Sequence, residues 1–129
     1  MVNKAKGIQV RLTLFFLFVL VVILTVCVVK HLLLGLRIAF ADGQISELVE
    51  ICSSSANTKS PTELSAKLDY VLNYYPSGTK QTKGSHLDRI VEGARSNAVT
   101  AILVRFQVIT GKDFEKDPQH WLKEYPPTK

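Results

Sequence analysis

Between Leu12 and Val29 the chain reads LTLFFLFVLVVILTVCVV, 18 residues without a charge, with Thr13 and Thr25 the only hydroxyl-bearing side chains. As a helix rising 1.5 Å per residue the run is about 27 Å long, close to the hydrocarbon thickness of a bilayer. A threonine can return its hydroxyl to the carbonyl one turn back, so two of them are tolerated in lipid. A buried core helix this apolar would need a much larger protein wrapped around it than 129 residues provide. The run therefore predicts a transmembrane helix over 12–29, behind a basic tail at 1–11.

A cleaved signal peptide is the nearest rival. Ala39–Ala41 reads as a small-x-small cleavage site, but Lys30, His31 and Arg37 separate it from the apolar run, which favours an uncleaved anchor. A type IV pilin leader cut at Gly7 would place a glutamate where this chain has Leu12. Charge agrees with an anchor. Lys4, Lys6, Arg11, Lys30 and Arg37 all precede the first acid, Asp42, and account for the whole formal charge of +5. Beyond that point bases and acids balance, so the basicity reflects membrane topology and anionic headgroups rather than nucleic acid. Three bases and the amino terminus before the run, against two bases after it, place the N-terminus in the cytoplasm and the remainder outside.

Beyond the run, 30–53 keeps a helical beat. Leu34, Ile38, Ala41, Ile45, Leu48 and Cys52 alternate at spacings of four and three, with Gly43 as an interruption. This amphipathic stem packs either on its own domain or, in a homodimer through 34–52, on a second copy. Cys27 and Cys52 are about 37 Å apart along a continuous helix, past disulfide reach, which leaves Cys52 as a half-buried helix residue or an inter-chain partner.

A small helical domain is expected over 54–129, with helices at about 61–75, 86–110 and 118–125. Ser60 caps the first, Pro61 opens it and Glu63 stands in capping-box register; Leu64, Leu68, Val71, Leu72 and Tyr75 form its apolar stripe. Pro76 and Gly78 end it. Ser85 caps the second helix with Asp88 in the reciprocal place, and Gly111 closes it. Its second half, VTAILVRFQVIT, is β-branched enough for a strand, but no Gly or Pro separates it from the helical first half. Asp117 caps the last helix, which buries Trp121. The fold class is all-α: a transmembrane helix continuing into a stem, then a helical hairpin with a short C-terminal helix.

The loop YYPSGTKQTKGSHLDRI raises the question of a phosphate cradle. A P-loop needs its glycines five apart with lysine after the second; here Gly78 and Gly84 are six apart and Lys83 precedes Gly84. The preferred reading is a polar turn between antiparallel helices. The alternative is an accessory or regulatory subunit holding an anionic ligand at the start of the next helix with Lys80, Lys83 and Ser85. His31, His86 and His120 sit on separate elements, without ligands at zinc spacing or a nucleophile partner. Asp113, Glu115 and Asp117 alternate as in a calcium loop, but Pro118 stands where an EF-hand needs glycine. In DRIVEGAR, the charges of Asp88, Arg89, Glu92 and Arg95 read as one solvated helix face. No catalytic constellation, cofactor site or metal set is visible, so the chain reads as a non-enzyme.

TGKDFEKDPQHW, Thr110 to Trp121, resembles the closing motif T-G-x-D-[FL]-G-x-D-P-x-x-W of HEAT-like helical repeat proteins in some bacteria, with Glu115 where glycine is usual. The wider stretch from Leu68 to Tyr125 resembles small bacterial membrane-anchored helical proteins. The resemblance implies a helical pair and a bacterial source, and it carries no catalytic residues. The function expected is a single-pass membrane protein acting as a protein-interaction or structural module at the membrane surface, with the lipid bilayer and a protein as partners.

Overall fold

A computed structural model describes residues 2–114 and 116–127, with side chains from Gly7 onward. Glu115 of the closing motif, the side chains of Lys4 and Lys6, and Lys129 lie outside the described residues. The chain is all-helical, with no strand among the described residues: α1 (Val2–Ser55), α2 (Pro61–Asn73), α3 (His86–Thr110) and α4 (Pro118–Glu124). The β-branched half of α3 is helix, because the apolar positions Ala98, Ile102 and Phe106 bury one face at 3.6-residue spacing.

Two compact units divide the chain at residues 36 and 37. The first is helical, long and apolar enough to cross a membrane by length and composition. Large apolar side chains stand exposed along α1 from Ile8 to Phe40. Thr13 and Thr25 return their hydroxyls to the Gln9 and Val21 carbonyls at 2.9 and 2.8 Å, which removes the polar cost of both.

The second unit begins with the last turns of α1. Ala41 and Leu48 enter one core with Leu64, Leu68 and Val71 of α2, Val91, Ala98, Ile102, Leu103 and Phe106 of α3, and Trp121 of α4. Four of the six positions of the stem repeat are thus used. Ile45 and Cys52 pack against that core, whereas Leu34 and Ile38 are exposed. Gly43 does not interrupt α1; it lies on an open helix face, where an added Cβ would meet nothing within 4 Å. α2 ends at Asn73, short of the expected Tyr75, because Tyr74 already takes an extended ψ of 108°; Tyr75 follows at φ +36° and is 43% exposed.

Caps define the remaining ends. Ser60 Oγ accepts from the Glu63 N–H at 3.4 Å, and Ser85 Oγ from the Asp88 N–H at 3.2 Å. Neither capping box closes, since the Glu63 and Asp88 carboxylates bond elsewhere. Gly111, at φ +67°, donates its N–H to the Gln107 carbonyl and ends α3. Asp117 accepts from the Gln119 N–H at 3.0 Å to start α4. Trp121 then stacks on Phe106 at 4.6 Å and meets Phe114 edge-on at 4.7 Å. Ser65 Oγ donates to the Tyr125 carbonyl, and Lys112 pairs with Glu124, so the C-terminal end of α4 is tied down twice.

Candidate functional site

The segment between α2 and α3 folds around a side chain of its own. Asp88 is 4% exposed, and its Oδ2 accepts from the Gly84 N–H at 2.8 Å and the Ser77 hydroxyl at 2.7 Å, while Oδ1 accepts from the Gly78 N–H at 3.2 Å. Gly78 and Gly84 supply the positive φ, +85° and +75°, that aims their amides at one point. The Gly84 amide, then the Ser77 hydroxyl, hold the Asp88 carboxyl below the usual carboxylate range. The loop is therefore an anion cradle whose anion is internal. An incoming phosphate would meet Asp88 where it needs free amides.

Each candidate anion ligand also engages a group of the chain itself. Lys80 Nζ lies over the Tyr75 ring at 4.5 Å and the Phe40 ring at 5.0 Å, a cation held between two aromatic faces. Lys83 is exposed and acts on Asp88 through its charge. Ser85 spends its hydroxyl on the α3 cap.

Arg95 corrects the expectation of a solvated DRIVEGAR face. Buried at 9% exposure, it donates to the carbonyls of Val71 and, at 2.8 Å, Tyr75, and its Nε meets Glu92 at 3.2 Å. These acceptors stand at the end of α2, where the last helical carbonyls lack intrahelical donors. Asp88 and Arg95 both point inward; Arg89 remains exposed. The i,i+3 and i,i+4 spacing that suggested surface pairs is equally that of a buried face, which is why the sequence missed them.

Two further polar links bind the loop end of the unit to the last turns of α1. The buried amides of Gln44 and Gln81 meet at 3.2 Å, and Arg37 donates to Thr82 at 3.1 Å. Tyr70 and Tyr74, stacked at 5.0 Å, both donate to the Glu47 carboxylate. The Glu47 bond pushes the Tyr70 hydroxyl up to about 12, and burial, then Glu47, raises that of Tyr74. At the opposite end Arg105 donates to the Thr58 carbonyl at 2.7 Å, and Thr58 with Lys67 engages Glu63, whose carboxyl is lowered chiefly by Lys67. Among the described residues no three His, Cys, Asp or Glu side chains converge as a metal would require. Cys27 and Cys52 are free thiols.

No protein-family model, curated protein or solved structure matches this chain.

Proposed function

We propose that the chain is a single-pass membrane protein whose second unit acts as a protein-interaction or structural module at the membrane surface. The observation that carries the reading is the apolar surface of α1: the most apolar 18-residue window has none of its residues buried. A core helix would be covered, and apolar side chains at every position around a helix suit lipid rather than water. Lys4, Lys6 and Arg11 on one side, with Lys30 and Arg37 on the other, put the N-terminus in the cytoplasm and the second unit outside. Its inward-turned polar groups suit a scaffold, with α2 against α3 as the helical hairpin that the resemblance of Thr110–Trp121 implies. The bacterial source belongs to the same reading.

The test is extraction. Full-length protein should stay in the membrane pellet through an alkaline carbonate wash, and deletion of residues 1–29 should release it. Release of the full-length chain by carbonate would remove the anchor from the account.

A further inference from the structure

We infer that the loop between α2 and α3, together with the last exposed apolar residues of α1, forms a collar that rests on an anionic lipid surface. The inference depends on the anchoring proposed above. Exposed apolar side chains do not stop at Val29; they continue through Leu36 and Ile38 to Phe40. Three turns of such a helix are costly in water and suit the interfacial layer, where aromatic rings and basic side chains concentrate.

The loop is fastened to this same stretch. Arg37 donates to Thr82, and the Gln81 amide meets Gln44, so the loop backbone runs beside residues 37–44 of its own unit. Between them Lys80 lies over the rings of Phe40 and Tyr75, which are 48% and 43% exposed. A half-exposed aromatic pair holding a cation has an apolar body and a charged edge, the combination that fits headgroup level.

Tyr75 is also kept outward at a cost. It is a non-glycine residue at φ +36°, fixed there by Arg95 on its carbonyl. Charge adds direction. Arg37 and Lys83 are exposed here and Lys80 is half-buried between the two rings; Asp42 is the exposed acid nearby in the chain, half-buried Glu92 lies beside the loop, and Asp88 is spent on loop amides. Lysines attract an anionic surface over a Debye length of about 8–10 Å, within reach of a loop fastened to the end of the apolar run. Because Asp88 fills the amide cradle, the surface suits an array of headgroups rather than one free phosphate.

The experiment uses the full chain carrying Cys27→Ala and Cys52→Ala, with one fluorescently labelled cysteine at Thr79 in the loop or at Gln119 in α4. The two positions lie towards opposite ends of α3, a helix about 37 Å long. In vesicles of phosphatidylcholine and phosphatidylglycerol, headgroup-attached nitroxide should quench the Thr79 label several-fold more than the Gln119 label. Lys80→Glu with Lys83→Glu, or omission of phosphatidylglycerol, should cut that difference sharply, and added inorganic phosphate should leave it unchanged. Equal quenching at both positions, in vesicles with which the protein still floats, overturns the collar and leaves the anchor. Failure to float with vesicles overturns anchor and collar together. Quenching indifferent to lysine and lipid charge removes the anionic preference, and displacement by inorganic phosphate assigns a free-anion site instead.

Discussion

At its α4 end the second unit is held by rings: Trp121 is fully buried against Phe106, Phe114 and Tyr125, and among the described residues its indole N–H has no acceptor. At its loop end it is held by charge turned inward: Asp88 gathers three donors and Arg95 binds two carbonyls and Glu92. At the aromatic end ring area supplies the stabilisation. At the polar end each group depends on its partner, since an unsatisfied buried group costs about 1–3 kcal/mol. Packing at one end therefore degrades by volume, and the other end fails by losing single bonds.

Trp121→Ala should cause the largest loss. Removing a buried indole leaves a cavity and costs about 3–5 kcal/mol, a large share of the stability of a domain this size. Hydrogen exchange of α3 amides in detergent should accelerate accordingly; parental protection would place the ring at the surface. Arg95→Met keeps the bulk of the side chain and leaves the carbonyls of Val71 and Tyr75 without their donor. A loss of about 2–3 kcal/mol is expected, concentrated at the end of α2. If exchange at α4 rises equally, the two ends are one cooperative block and the contrast between them fails.

The smallest effect depends on pH. Asp88 is held below its ordinary value, so its stabilising increment is present above the unfolded pKa near 3.9 and is lost as pH falls through the lower folded value. Acidification below about pH 4 should open the amides of Gly78 and Gly84 before those around Trp121. Asp88→Asn should remove that pH dependence and loosen the same amides at neutral pH. An acid response unchanged in the Asp88→Asn variant would show that another group governs it.

The all-helical character and the long apolar helix were legible because each is written in periodicity and composition over many residues. Caps are local as well: Ser85, Gly111 and Asp117 act within three or four positions of themselves. The loop was harder. Its glycines and lysines could be read as a turn, but the decisive group, Asp88, lies ten residues beyond Gly78, and its direction depends on how the loop folds back. Arg95 was illegible for a related reason. Its acceptors are carbonyls 20 and 24 residues away, and no residue type marks a carbonyl that needs a donor. Leu34 and Ile38 share a repeat with Ala41 and Leu48, yet periodicity alone cannot say where along a helix its covering ends.

The central claim, a single-pass anchor with the second unit outside, is tested most directly by topology. A single cysteine replacing exposed Gln119, in a Cys27→Ala, Cys52→Ala background, is offered to an impermeant thiol reagent in intact bacterial spheroplasts. The account predicts labelling before lysis, equal to that after it. Labelling that appears only after lysis would contradict the account and place the second unit in the cytoplasm.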